Sequence, residues 1–377
     1  MTDELPMPSD VKRASSAATG DAAPPGGPAA SAEPLPEPPS AKLIARLFII
    51  PLLIVAAAVG IMFIIGRMAG TNPSFEDALT RLRNPGGERT VDLLVGPGSK
   101  QRYMDAKTIA DKIMKVGANP AERVKISDEL IEILDKHTTD KEGDVRHFLL
   151  LALGRAWQVP AGAGATTMPT TPIAPTDTPE EAAARQRALT ALLRYANSNN
   201  VSNQKAAILA FAYWAGRPEV REAMPMLVAK LRDESQDLDV RLAAATVLGP
   251  IGKPTDAEAI GALRFALRDT KPENIELVWG SALSLAQLNQ KDVADTILML
   301  LDRKELAQAK VLDRETDPKN PAYHPLSDKE QERILINTMI GAAKLDVPAV
   351  RERMEWLRDH DPSPRVRAAA QEVLGKE

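Results

Sequence analysis

Histidine side chains can bind metals or transfer protons, and a metal site requires histidines at particular spacings along the chain. In this chain they stand at His137, His147, His324 and His360, and no two of them have the separation of a helical zinc-binding pair such as HExxH. The chain has no cysteine, which excludes disulfides, thiolate metal sites and cysteine catalysis. The sequence therefore predicts no metal site and no cofactor.

Two other patterns that carry chemistry in enzymes are incomplete in this chain. The turn GPGSK at 96–100 has the glycines and lysine of a phosphate-binding loop, but the G-x-x-x-x-G-K-[ST] spacing is missing and no βαβ context follows. Nothing marks a nucleophile elbow, and the carboxylates mostly stand at helix ends and on polar faces. We therefore predict no catalytic residue and no small-molecule substrate, and we interpret the chain as not an enzyme.

Composition favours helices and gives no sign of a nucleic-acid partner. Of the 377 residues 44% are hydrophobic but only 4% are aromatic, with alanine and leucine abundant. The net charge of −4 excludes a large basic field of the kind that binds nucleic acids.

A sequence motif recurs along the chain from about residue 100 onward. Each copy has a polar turn, a Val-Arg pair and an apolar helix ending at Leu-Gly, and the clearest copies begin at Val145, Val240 and Val366. We expect the final glycine to suit a helix C-terminus. A partner helix recurs as well, with leucines 36 and 34 residues apart over 231–301. Two helices per roughly 35 residues predict a helical solenoid, in which each repeat covers the apolar flank of the next.

Capping signals predict where several of these helices begin. The S/T-x-x-E pattern of a capping box stands at 178–181, 255–258 and 327–330. Asp144 and Asp239 directly precede Val-Arg pairs, so we expect them to be N-caps.

With these repeats the chain resembles HEAT-like repeat proteins, of the short bacterial type found in the phycobilisome lyase-like group. The resemblance covers residues 100–377 and implies an all-α fold, a HEAT/armadillo-type α-solenoid of about six to seven helix pairs. Longer spacings between copies predict loop insertions at about 158–179 and 305–326.

The resemblance also implies a ladder of side chains between repeats. In HEAT repeats an aspartate and an arginine at the inner turn commonly link successive units. Asp144, Arg146, Asp239, Arg241 and Arg367 match those positions, and we expect them to form a structural ladder.

The resemblance further suggests a binding surface on the second helix of each repeat, which usually lines the concave face of such solenoids. Basic residues recur on that helix, and we expect a mixed-charge groove for an acidic or mixed protein surface. The candidate groove residues are Lys230, Arg232, Arg264, Arg268, Arg351 and Arg353.

The N-terminal quarter of the chain, residues 1–99, predicts a membrane tether. Residues 1–41 are rich in proline and alanine and predict a disordered tail. Residues 47–66 contain no charge over 20 positions, enough to cross a bilayer of about 30 Å, so we predict a transmembrane helix over 42–67. A juxtamembrane linker with a short helix follows at 68–99. Basic residues flank the span almost equally, and we favour the solenoid outside the cell, on a single pass through the cell (inner) membrane.

These features favour a membrane-tethered, non-enzymatic scaffold that binds a protein partner. Two alternatives remain open at the sequence level. The phycobilisome lyase-like group includes enzymes that attach or remove bilins, so the chain could be a bilin lyase or isomerase. It could also be the docking subunit of a transporter or secretion complex.

Overall fold

The computed structural model describes residues 74–84, 98–116, 119–139, 142–158, 178–313 and 322–375. Fifteen α-helices and one pair of short strands lie within them. The helices are α1 Phe75–Arg83, α2 Gly98–Val116, α3 Pro120–Lys136, α4 Gly143–Ala156, α5 Pro179–Ala196, α6 Val201–Ala210, α7 Met224–Arg232, α8 Leu238–Ile251, α9 Ala257–Leu267, α10 Ile275–Gln287, α11 Ala294–Leu300, α12 Arg303–Gln308, α13 Asp328–Ala342, α14 Pro348–His360 and α15 Pro364–Leu374.

Within this part of the chain the helices pack as seven pairs in two layers. The pairs are α1 with α2, α3 with α4, α5 with α6, α7 with α8, α9 with α10, α11 with α13, and α14 with α15. The second helices form a continuous row, each packing on the next from α2 to α15. The hydrophobic core runs along this row, because each pair buries the apolar flank of its neighbour. We call the first helices of the pairs the first layer and their partners the second layer.

Two of the three predicted capping boxes form. Thr178 and Ser327 each accept a hydrogen bond from the backbone N–H three residues later, and the glutamates there return it. At α9 the N-cap is Asp256 instead of Thr255. At α8 the N-cap is Asp237, whose carboxylate accepts from the backbone N–H of Asp239 at 2.8 Å, so the helix begins earlier than the Val-Arg pattern predicts.

The glycines of the Leu-Gly motif lie inside helices at sites of close approach, which corrects the prediction that they form C-termini. Gly154 and Gly249 are buried two residues before the ends of α4 and α8. A Cβ at Gly154 would lie 2.7 Å from the carbonyl oxygen of Ala210, and one at Gly249 would lie 2.8 Å from the Cα of Ser284. The second-layer helices therefore approach more closely than any side chain allows. Gly375, in the last pair, does stand at a C-cap.

The segment 75–83, predicted as part of a linker, belongs to the repeat domain. Phe75, Leu79 and Leu82 are buried in the same core as the later helices. α1 packs on α2, and the Arg81 guanidinium forms two hydrogen bonds with the carboxylate of Asp105, at 2.9 and 2.6 Å. A nine-residue helix gives too weak a periodic signal on its own to predict this packing.

The predicted loop insertion at 305–326 contains regular structure. It includes most of α12 and the antiparallel strands β1 Lys310–Leu312 and β2 Tyr323–Pro325, paired through Val311 and His324. Val311 is buried and α12 buries Leu306, so apolar contacts hold both elements against the helices. The fold of the described residues is therefore all-α with one short β-ribbon.

The predicted tail at 1–41, the predicted span at 42–67 and residues 159–177 of the first insertion lie outside the described residues. Among the residues that the structure describes, no helix has the length and apolar character needed to cross a bilayer.

Candidate functional site

Three of the predicted groove residues meet around one open concavity between α7 and α9. Arg232, Arg264 and Arg268 line it together with Gly261 and Phe265, and its volume is about 470 Å³. Arg232 ends α7, whereas the other two arginines lie on one side of α9 because positions 264 and 268 are four residues apart. The concavity is therefore a surface between neighbouring repeats.

The guanidinium groups of this concavity differ in how far they are neutralised. Arg264 binds the carboxylate of Asp292 through both Nε and Nη2, at 2.9 and 3.1 Å, and these bonds lower the pKa of Asp292 below its ordinary value. Arg232 donates at 3.5 Å to the backbone carbonyl of Glu258. Within the described residues, Arg268 has no side-chain hydrogen bond or ion pair. Two of the three guanidinium groups are thus exposed with no carboxylate partner among the described residues, in a chain of net charge −4.

An aromatic ring and a glycine complete the surface. The Phe265 side chain is 46% exposed, which is unusual for phenylalanine in a helix that packs on two neighbours. Gly261 leaves room beneath Arg232, since a Cβ there would lie 3.4 Å from the Nη2 atom of that arginine. Arginine and aromatic side chains are the types enriched at protein interfaces.

The remaining groove candidates lie elsewhere. Lys230 donates to the side chain of Gln204 at 3.3 Å, and burial lowers its pKa. Arg351 forms an ion pair within its own helix, at 3.3 Å from Glu355. Arg353 lies 4.4 Å from the ring centre of Trp356. Helical spacing does not show which neighbouring helix a given face of a helix meets.

Five of the six candidates lie on the first helix of a pair and Arg268 is the C-cap of such a helix, whereas the sequence pattern suggested the second helix. The short turn 233–237 joins α7 to α8, and these two helices pack directly on each other. The Val-Arg helix is thus the second of its pair, and the candidate groove belongs to the first layer.

The arginines of the predicted ladder close their own repeats. Arg146 donates to the carbonyl oxygen of Thr138 at 3.0 Å, Arg241 to that of Leu231 at 3.3 Å, and Arg367 to that of Asp361 at 2.6 Å. Each guanidinium thereby satisfies carbonyls at the end of the preceding helix, where a positive charge is favourable.

The aspartates of the predicted ladder behave differently from each other. Asp239 does link repeats, but to Lys205 of the preceding pair, with 2.6 Å between Nζ and Oδ2. Asp144 is exposed in the first turn of α4.

A ladder between repeats does exist in the first layer, in residues that the sequence reasoning missed. Arg185 binds Glu219, with 2.6 Å between Nη2 and Oε1, and Arg221 binds Asp256, with 2.8 Å between Nη2 and Oδ1. The Arg264 pair described above continues the pattern. The partners are 34, 35 and 28 residues apart in sequence. An arginine followed by an acidic residue about one repeat later is therefore the sequence pattern that could have predicted this ladder.

The described residues contain no group of three or more potential metal ligands that could hold an ion. His147 is partly buried, and desolvation lowers its pKa below the ordinary value.

The comparisons with known proteins give a weak similarity to solved structures. No protein-family model matches the chain, and no curated protein is similar to it in sequence. Among solved structures, human deoxyhypusine hydroxylase in complex with glycerol is 17% identical at a TM-score of 0.30, over 82% of this chain and 98% of that one. A TM-score of this size does not transfer an activity.

The prediction that the chain is not an enzyme is contradicted by this comparison, because the similar structure is that of an enzyme. An all-helical chain of this kind does not exclude catalysis, and the exclusion is withdrawn.

Proposed function

We propose that the chain is a membrane-tethered HEAT-like scaffold that binds a protein partner carrying acidic side chains. The stacked helix pairs, with their continuous row of second helices, support the HEAT-like assignment. In such an architecture the surface is extended, and partners bind across neighbouring repeats.

The observation that carries the proposal is the arginine concavity between α7 and α9. Arg232 and Arg268 present guanidinium groups that no carboxylate of the described chain neutralises, and Phe265 stands exposed beside them. A partner that places carboxylates over the arginines and an apolar side chain on Phe265 would form charge-assisted hydrogen bonds and remove the ring from water. Arginine also binds carboxylates in two-pronged geometry, which makes the contact specific.

The tether rests on the uncharged segment 47–66. A single-pass helix would hold the repeats at the membrane surface and raise their effective concentration near membrane-bound partners. We place this helix in the cell (inner) membrane with the repeat domain outside. Protease digestion of intact cells tests the orientation, since an extracytoplasmic domain would be degraded without lysis.

Photo-crosslinking in intact cells tests the binding site. A benzophenone amino acid replaces Phe265 in the full-length chain, and ultraviolet light then traps whatever lies against the concavity. We expect one discrete crosslinked protein, strongly reduced when Arg232→Glu and Arg268→Glu are added together.

Lys329→Glu is the matched control for this charge reversal. Lys329 is exposed in the first turn of α13, where a glutamate is favourable, so the change reverses the same charge outside the concavity. The crosslink should survive it. A crosslink that persists equally in the double arginine variant would show that the arginines do not recognise the partner.

A further inference from the structure

One stripe of α2 is exposed, and Asp111 within it forms an ion pair with Arg155 of α4, with 3.9 Å between Oδ1 and Nη1. At about 100° per residue the members of the stripe fall within an arc of about 100° on the helix surface. They are Lys100, Met104, Lys107, Asp111, Met114 and Lys115. The opposite side of α2 is buried against α1 and α4, through residues such as Ile109 and Ile113.

The stripe combines lysine side chains with exposed apolar side chains. Met104 and Met114 are both 42% exposed, among the most exposed large hydrophobic residues that the structure describes. Within the described residues, the three lysines of the stripe form no side-chain hydrogen bond or ion pair. With Asp111 the only acidic member, the stripe carries a net charge of +2, from three lysines less one aspartate.

The position of this stripe in the chain limits how far it can lie from the predicted membrane segment. That segment ends at Gly66 and α1 begins at Phe75, so a fully extended connection spans at most about 30 Å. α1 is fixed to α2 by the Arg81–Asp105 ion pair and by a bond from Arg102 to the carbonyl oxygen of Leu82, at 3.3 Å. The first helix pair is therefore the part of the repeat domain closest to the bilayer along the chain.

We propose that the α2 stripe lies against the membrane surface and binds anionic phospholipid headgroups. The inference rests on the tether of the proposed function and adds the surface by which the domain meets the bilayer. Lysines near an anionic leaflet gain favourable electrostatic energy, and methionine side chains between them insert into the boundary between headgroups and acyl chains. A stripe of this composition would set the orientation of the repeats, which a single-pass tether alone does not fix.

The test uses the full-length chain reconstituted into vesicles. Because the chain has no cysteine, Met104→Cys provides a single labelling site for an environment-sensitive fluorophore. Ile340→Cys is the matched control, since Ile340 is 44% exposed in α13, far along the second layer. Vesicles of phosphatidylcholine alone are compared with vesicles that also contain phosphatidylglycerol.

We expect a severalfold increase in fluorescence at position 104 in the anionic vesicles and none at position 340. The increase should disappear when Lys100→Gln, Lys107→Gln and Lys115→Gln are combined, and should weaken as salt is raised. An unchanged signal at position 104 would overturn the inference. The inference would also be overturned if the fluorescence at position 104 exceeded that at position 340 equally in both kinds of vesicle, because contact would then not depend on charge.

A carbonate wash of the same vesicles separates the two proposals. If the chain washes off, the tether is wrong and this inference falls with it. If the chain stays bound while position 104 gives no response to anionic lipid, the tether stands and only the headgroup contact is refuted.

Discussion

Gly154 lies where two second-layer helices, α4 and α6, come closest, and its replacement by alanine tests the packing of the repeats. The added Cβ would lie 2.7 Å from the carbonyl oxygen of Ala210 and 2.8 Å from its Cβ. Carbon atoms prefer separations of about 3.5–4.0 Å, so the helices must part by roughly 1 Å. No flexible side-chain end is involved that could move aside instead.

The expected change in the free energy of unfolding follows from two opposing effects. Overpacking of this kind costs about 1–3 kcal/mol, while alanine in place of glycine favours a helix by about 1 kcal/mol. Because the clash involves backbone, we expect a net loss of about 1–2 kcal/mol in the free energy of unfolding. Urea unfolding of the full-length chain in detergent, followed by helical circular dichroism, measures it.

Gly143→Ala is the matched control, because it makes the same chemical change in the same helix. Its new Cβ would meet the Ser202 side chain at ordinary contact distances, 3.7 Å from Oγ and 3.9 Å from Cβ. We expect Gly143→Ala to be neutral or slightly stabilising. If both variants shift the free energy of unfolding equally, the close approach of α4 and α6 is not as described and the reasoning is refuted.

Three further predictions concern polar contacts. A hydrogen bond from Arg221 lowers the pKa of Asp256 below its ordinary value of 3.8. The ionised carboxylate therefore stabilises the fold at pH values above 3.8, and this stabilisation is lost as the pH falls through the lowered pKa. Unfolding curves of the wild type and of Asp256→Asn should differ at pH 7 and converge in acid. Ser127→Ala should cost about 1–3 kcal/mol by chemical denaturation, because it leaves the buried indole N–H of Trp157, now bonded at 3.0 Å, without an acceptor. Arg241→Met should lower the free energy of unfolding by about 1–3 kcal/mol in the same assay, because the carbonyl oxygen that Arg241 binds is buried. An unchanged unfolding midpoint for Ser127→Ala or for Arg241→Met would contradict the hydrogen bond assigned to that residue.

Much of the helical organisation could be predicted from local signals. The capping boxes at 178–181 and 327–330 form as their spacing predicts, because a capping box involves only residues within one turn. The repeating leucines also predict the paired helices, since the apolar stripe of each helix requires a cover. Chemistry confined to a few consecutive residues is therefore well encoded in the sequence.

The partner of each side chain could not be predicted in the same way. The prediction for Arg241 named a neighbouring repeat, and the structure places it on a carbonyl of its own turn. Arginine has a long side chain with several donors, so both partners are within reach and only the packed geometry selects one. The candidate groove shows the same limit, since three of its six residues meet and the other three contact side chains outside the concavity.

The sequence by itself determined that this chain forms paired helices from about residue 100 onward, because helix periodicity and capping act over a few residues. Only the tertiary structure decided which structural role the glycine of the Leu-Gly motif has. A glycine after a leucine is equally compatible with a helix end and with a close helix contact. Gly154 takes the second role because Ala210, 56 residues away in sequence, packs directly against it.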